Sequence, residues 1–174
     1  MMRILKLGIS SLALGLTASF LAAQQSKEAA PIPAQIISAQ KVFISNAGVD
    51  GMALAAFKRE GEPDKHYSQF YAAMKAWGRY ELVADPGDAN LVFEIRFTAP
   101  ISGCDKLTSY APQFGLSILD AKTHFAIWTL IEPVQGAYRK GTWDKNFNLG
   151  LTALMTDLKK LADPAAVLAD DVRK

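Results

Sequence analysis

The chain has 174 residues, of which 50% are hydrophobic and 21% are charged. This balance is typical of a single globular domain and excludes a disordered or collagen-like chain. The formal net charge of +2 equals the contribution of Arg3 and Lys6, so the rest of the chain is neutral overall. A neutral chain offers no general basic field for phosphates, which argues against nucleic acid as a partner.

Residues 1–23 have the pattern of a secretory signal peptide. Two basic residues precede an apolar run over 7–21, and small residues ending at Ala23 precede a polar Gln-Gln-Ser segment. The run is shorter than the roughly 20 apolar residues that span a bilayer. We therefore expect cleavage after Ala23 and no stable membrane insertion of the mature protein; an uncleaved anchor is the alternative. The chain has no glycosylation sequon, which favours a bacterial periplasm over a eukaryotic secretory route. We expect a periplasmic or secreted bacterial protein.

Residues 24–39 mix small, polar and proline residues and predict a flexible lead-in. A short strand over 41–45 follows, and then a connection over 46–62 whose conformation is ambiguous. Next, a helix is predicted by apolar side chains at helical spacing, namely Tyr67, Phe70, Tyr71, Met74 and Trp77. Gly78 is expected to end this helix as its C-terminal cap.

Four further strands are predicted, over residues 80–84, 91–98, 114–119 and 125–131. The second of them alternates, with Leu91, Phe93, Ile95 and Phe97 on one face and polar side chains mostly on the other. This alternation predicts a sheet with one buried and one partly wet face. Residues 85–88 are expected to form a tight turn, 100–112 a loop, and 120–124 the connection of a hairpin.

A second amphipathic helix is predicted from its apolar side chains, which are Phe147, Leu151, Leu154, Met155, Leu158 and Leu161. Pro164 is expected to terminate it, which leaves 163–174 as a C-terminal tail. The domain over 40–162 is thus predicted to be an α/β (α+β) two-layer sandwich. Its mixed, mainly antiparallel sheet of about five strands would carry both helices on one face. The first strand and the strand after the first helix are expected to pair in parallel.

The segments 78–95 and 118–128 carry a resemblance to known proteins. The first runs from a Gly-Arg-Tyr turn to an Ala-Asn-Leu-Val strand, and the second is a hairpin of the form Leu-Asp-Ala-Lys-Thr. The sequence resembles small α/β modules of bacterial envelope proteins: the amino-terminal domain of the Tol-system propeller protein, curli-secretion lipoproteins, and lipoprotein activators of penicillin-binding proteins. It is also similar to short exported bacterial proteins of unassigned function. The resemblance implies a binding or assembly module; His124 replaces the usual turn glycine, and the lipid-attachment cysteine is absent.

Standard catalytic and cofactor motifs are missing from the sequence. Gly48-Val-Asp-Gly51 lacks the Lys and Ser or Thr of a phosphate-binding loop. The two histidines, His66 and His124, are predicted to be exposed on a helix and in a turn, and no ligand spacing accompanies them. Cys104 is the only cysteine, and nothing in the sequence supplies a base for it. We therefore predict no catalytic residue, no cofactor and no metal.

Two candidate partner surfaces stand out. The first is the open sheet face around Glu94, Arg96 and Trp128, where the two charged residues could also form ordinary ion pairs. The second is the loop with Arg139, Lys140 and Trp143, since arginine and aromatic residues are enriched at interface hot spots. For Trp143, packing over the edge of the core is the alternative.

These features predict an exported, non-catalytic envelope protein that binds another envelope protein. One alternative is a small periplasmic hydrolase or thiol enzyme that uses Cys104 or a pair of carboxylates. Another is a carrier that holds an apolar ligand between sheet and helices. The sequence leaves the identity of the partner and the oligomeric state open.

Overall fold

The computed structural model describes residues 30–50, 53, 64–102 and 109–164. The predictions for the leader, its cleavage after Ala23, the thiol of Cys104 and most of the C-terminal tail lie outside these ranges. Among the described helices, none combines the length and the apolarity that crossing a membrane requires.

The described elements are three α-helices, a 3-10 turn and seven strands. The helices are α1 (Ala34–Ser38), α2 (Lys65–Trp77) and α3 (Lys140–Ala162), and the 3-10 turn is Pro86–Asp88. The strands are β1 (Lys41–Val49), β2 (Glu81–Leu82), β3 (Leu91–Thr98), β4 (Ile101–Ser102), β5 (Ser109–Tyr110), β6 (Gln113–Asp120) and β7 (Ala126–Pro133).

Five strands form one mixed sheet in the order β2-β1-β3-β6-β7. β1 pairs in parallel with both β2 and β3, whereas the β3–β6 and β6–β7 pairs are antiparallel. The predicted α+β fold with a mixed five-stranded sheet, including the parallel pairing of the first two strands, is therefore confirmed. β4 and β5 form a separate two-stranded ribbon within the segment predicted to be a loop.

The core lies between one face of the sheet and the helices. Phe97 of β3 and Phe114 of β6 both contact Phe147 of α3, with ring centroids 5.4 and 4.8 Å apart. Phe70 and Met74 of α2 belong to the same buried cluster. The alternation predicted for β3 is confirmed because its four apolar residues are buried. The helix prediction over Tyr67–Trp77 is also confirmed, and Gly78 caps α2 with φ 68°.

Two further segments differ from the sequence predictions. α3 begins at Lys140 instead of near Phe147, because its cap residue Arg139 makes no side-chain capping bond and so gives no sequence signal. Within the predicted flexible lead-in, residues 34–38 form α1, and Ile36 is fully buried. The Tyr80 hydroxyl donates to the carbonyl oxygen of Ile36 at 3.0 Å, which holds this short helix against the start of β2.

Candidate interaction surface

Glu94 and Arg96 lie on the open face of the sheet, as predicted. Oε1 of Glu94 accepts a hydrogen bond from Nη2 of Arg96 at 2.9 Å, so these two residues neutralise each other. Glu94 is directly opposite Ser45 of β1 and Ser117 of β6. The centre of this face is consequently a narrow row of small polar side chains around one internal ion pair.

Trp128 does not share this face. It pairs with Ile118 of β6, which is fully buried, so its side chain lies on the helix-covered side and packs against the core while remaining partly exposed. Since side chains alternate between faces along a strand, Trp128 and Arg96 lie on opposite sides of the sheet. The prediction that Trp128 belongs to the open face was therefore wrong.

Trp143 is also not part of a surface. It is 8% exposed and contacts the ring of Phe97 edge-on, with centroids 6.2 Å apart. Its assignment to a partner surface was wrong, and the alternative of packing against the core is confirmed. Arg139 and Lys140 are exposed, and Nζ of Lys140 donates to Oδ2 of Asp144 at 3.0 Å. Hydrogen bonds from Lys65 and Lys140 hold the pKa of Asp144 below its usual value.

The long strand β7 forms one edge of the sheet, and no other described strand pairs with its outer side. The backbone N–H of Val134 donates inward, to the carbonyl oxygen of Pro112 at 2.7 Å. Backbone groups alternate in direction along an antiparallel strand, so those of Thr129 and Ile131 point outward. This edge offers unpaired donors and acceptors to an additional strand.

Two features limit the length of this edge. The β6–β7 register shifts between Ile118 and Leu119, which places a bulge at the start of β7. At the other end, Pro133 has no N–H to donate. The usable edge thus extends over residues 128–132, a length that suits pairing with a short extended peptide.

Apolar side chains lie beside the same edge. Phe125, just before β7, is 75% exposed, Ile131 is 60% exposed, and Leu149 of α3 is 57% exposed. Tyr138, in the connection from β7 to α3, is fully exposed. An edge strand flanked by exposed apolar side chains is a common site of protein association.

A cavity of about 270 Å³ lies where the end of β7 meets α3. Its lining residues are Glu132, Pro133, Gln135, Asn146, Leu149, Gly150 and Ala153. Glu132 is half-buried, and burial raises the pKa of its carboxyl, with a further contribution from the negative charge of Asp157. The cavity therefore combines apolar walls with a partly desolvated carboxylate.

A polar cluster joins the end of β1 to the start of α2. Nε2 of His66 lies 3.0 Å from Oδ1 of Asn46, whose amide donates to Oδ1 of Asp64 at 2.9 Å. His66 is fully buried, which corrects the prediction of an exposed histidine. Burial lowers the pKa of His66, and the negative charge of Asp64 opposes that shift. These bonds hold the end of β1 beside the start of α2.

Sequence reasoning missed the residues of the β7 edge, Thr129, Ile131 and Glu132. The segment 125–131 was read correctly as a strand, but the order of strands in a sheet is a property of the tertiary fold. One signal was available: Pro133 at the end of the strand, because proline within a sheet is largely confined to edge strands.

Comparisons with known proteins give no family: no family model matches the chain, and no curated protein matches it. Several solved structures are similar to it. A neuraminyllactose-binding hemagglutinin homologue from Helicobacter pylori is 13% identical, with a TM-score of 0.42, over 78% of this chain and 92% of that protein. The uncharacterized lipoprotein B from Nitrosomonas europaea is 11% identical, with a TM-score of 0.42, over 75% and 86%.

The PelC dodecamer from Paraburkholderia phytofirmans is a third similar structure, 14% identical with a TM-score of 0.41, over 66% of this chain and 84% of that protein. One of the three, the protein from Nitrosomonas europaea, is a bacterial lipoprotein. Identities of 11–14% are too low to transfer a ligand or a partner to this chain.

Proposed function

We propose that the chain is an exported envelope protein without catalytic activity that binds another envelope protein by strand addition at β7. The observation that carries this proposal is the outward-facing backbone of Thr129 and Ile131 on an edge strand that no described strand covers. Strand addition obtains affinity from main-chain hydrogen bonds and specificity from pockets for alternate side chains.

The side chains along β7 support the same mode of binding. Ile131 on the open face is 60% exposed, and Leu149 beside the other face is 57% exposed, so an added strand would bury apolar surface on both faces. The open face farther from the edge contributes less, because Glu94 and Arg96 are already paired with each other there.

The envelope location rests on the sequence. The pattern over residues 1–23 is that of a secretory signal peptide, and the remaining chain has no net positive charge to attract nucleic acid or anionic lipid.

The proposal is tested by site-specific crosslinking in intact Gram-negative cells that express the full-length sequence. A photoreactive amino acid replaces Thr129, and the matched control replaces the exposed Lys75 of α2. We expect one protein adduct at 129 and none at 75. Substitution Ile131→Pro should abolish the adduct, because it removes an outward N–H without removing a β6–β7 hydrogen bond.

Equal crosslinking at positions 129 and 75, or an adduct at 129 that survives Ile131→Pro, would overturn strand addition as the binding mode. Circular dichroism of the Ile131→Pro protein and its thermal unfolding verify that the loss of the adduct does not come from unfolding.

A further inference from the structure

We infer that the cavity at the Pro133 end of β7 receives a lysine or arginine side chain from the strand that β7 binds, so that the partner segment is extended, apolar and basic. This inference rests on the proposed function and adds the chemistry of the partner. It is carried by the position of Glu132, by the cavity beside it and by the charges around both.

The first observation is the position of Glu132 beside the cavity. Glu132 pairs with Phe114 on the helix-covered face of the sheet, at the edge where that face opens into the cavity. Residues directly opposite each other on neighbouring strands have side chains on the same face and close together. A residue of an added strand opposite Glu132 would therefore direct its side chain toward the cavity.

The charge of Glu132 favours a cationic side chain on the partner strand. None of the ion pairs among the described residues involves Glu132. The nearest acidic neighbour that acts on it, Asp157, is paired with Lys160 at 3.0 Å. Glu132 is a partly buried carboxylate with no ion-pair partner among the described residues, and a cationic side chain placed beside it would complete an ion pair.

The walls of the cavity suit a long basic side chain. Pro133, Leu149 and Ala153 provide apolar surface, while Glu132 and the polar groups of Gln135 and Asn146 lie at the same site. Lysine and arginine cover apolar surface with their methylene stems and keep the charged head at a polar group. A volume of about 270 Å³ is sufficient for one such side chain.

A second copy of the chain is a poorer occupant. Pairing of β7 with the β7 of another molecule would add a second Glu132 to the same joined sheet. The sequence of β7, Ala-Ile-Trp-Thr-Leu-Ile-Glu-Pro, contains no basic residue to neutralise either carboxylate. Charge complementarity therefore favours a basic segment of a different protein.

The inference is tested by NMR titration of the protein expressed from its full-length sequence. The probes are capped eight-residue peptides that alternate valine and threonine and carry one central lysine, arginine, glutamine or glutamate. We expect shifts of the Thr129 and Ile131 amides and a dissociation constant at least about fivefold lower for the basic peptides than for the glutamine peptide. Glu132→Gln should remove this preference, whereas Glu94→Gln on the other face should retain it.

Three other outcomes would overturn the basic partner, strand addition or both. If all peptides shift these amides with equal affinity, the basic cavity is overturned and strand addition stands. If no peptide shifts them at millimolar concentration, the edge is not a peptide site and both proposals fail. If the protein alone diffuses as a dimer, and Ile131→Pro restores the monomer, a second copy occupies the edge and the basic partner is overturned.

Discussion

The side chain of Arg96 on β3 lies across the backbone of Gly115, its direct neighbour on β6. A Cβ atom at position 115 would be 3.0 Å from Cγ and 3.3 Å from Cδ of Arg96. The guanidinium then reaches Glu94 on its own strand at 2.9 Å. Glycine at 115 thus leaves the space through which the only charged pair on the open face of β3 is formed.

This relationship predicts coupling between the two positions. Gly115→Val adds a side chain that strands favour, but in the presence of Arg96 it has to displace the arginine stem. We expect Gly115→Val to be more favourable in the Arg96→Ala background by about 0.5–1 kcal/mol. Urea unfolding of the four proteins measures this difference, and equal effects in both backgrounds would contradict it.

Two glycines of α3 should respond oppositely to the same substitution. A Cβ at Gly150 would lie 2.7 Å from Cγ2 of Val134, whereas a Cβ at Gly141 meets no atom within 4 Å. Gly150→Ala is expected to destabilise the protein by about 1–2 kcal/mol despite the better helix propensity of alanine. Gly141→Ala is expected to be neutral or stabilising, and Val134→Ala should reduce the cost of Gly150→Ala. A Gly150→Ala protein as stable as wild type would show that α3 can move away from Val134.

The hairpin between β6 and β7 carries a backbone conformation that favours glycine. His124 has φ 60°, a left-handed value that non-glycine residues adopt at a cost. We expect His124→Gly to raise the free energy of unfolding by about 0.5–1 kcal/mol. The control Lys122→Gly, in the same turn without a positive φ, should be neutral or destabilising. Thermal unfolding of both variants checks the prediction, which fails if the two substitutions have the same sign.

Buried His66 makes stability dependent on pH. Its folded-state pKa is lowered from 6.5, chiefly by burial, so the unfolded chain takes up a proton before the folded chain does. The contribution of His66 to the free energy of unfolding should therefore be constant at neutral pH and above, and should decrease as the pH falls below 6.5 toward the folded-state pKa. The slope is at most about 1.4 kcal/mol per pH unit for one proton.

Unfolding curves between about pH 7 and about pH 5, where few carboxylates titrate, measure this slope. His66→Gln should flatten it, and His124→Gln is the matched substitution at an exposed histidine. A slope that His66→Gln leaves unchanged would assign the pH dependence to other groups.

The two aromatic residues on either side of the start of α3 should differ strongly in their contribution to stability. Trp143 is 8% exposed and packs on Phe97, whereas Tyr138 is fully exposed. Trp143→Ala is expected to cost about 3 kcal/mol or more, because it leaves a cavity in the core. Tyr138→Ala should change stability by less than about 0.5 kcal/mol. Similar unfolding midpoints for the two variants would contradict the assignment of Trp143 to the core.

Local sequence patterns predicted the strands and helices that are defined by the spacing of their own apolar residues. The alternation in Leu91–Thr98 predicted β3, and the spacing from Tyr67 to Trp77 with Gly78 behind it predicted α2. The start of α3 could not be found in the same way, because Arg139 gives no capping signal. Nor could α1, whose five residues are held by tertiary bonds such as that from Tyr80.

Only part of the candidate interaction surface could be predicted, because the rest depends on strand register and strand order, which local sequence does not determine. Glu94 and Arg96 were placed correctly because strand alternation fixes their face. Trp128 was misplaced because its face follows from its position opposite buried Ile118, and the sequence of β7 alone does not fix that register. The importance of Thr129 and Ile131 follows from the place of β7 at the end of the sheet, which the order of strands along the chain does not determine.

The two edges of the sheet are unequal: β7 has eight residues, and β2, at the opposite edge, has two. The opposite edge is divided between two strands, because β2 pairs only with Lys41 and Val42 and leaves residues 43–49 of β1 without a described strand on their outer side. A strand added at β7 would meet one continuous backbone, whereas a strand added at the opposite edge would meet β2 and β1 in succession. The continuous edge at β7 is therefore the better receptor for a single added strand.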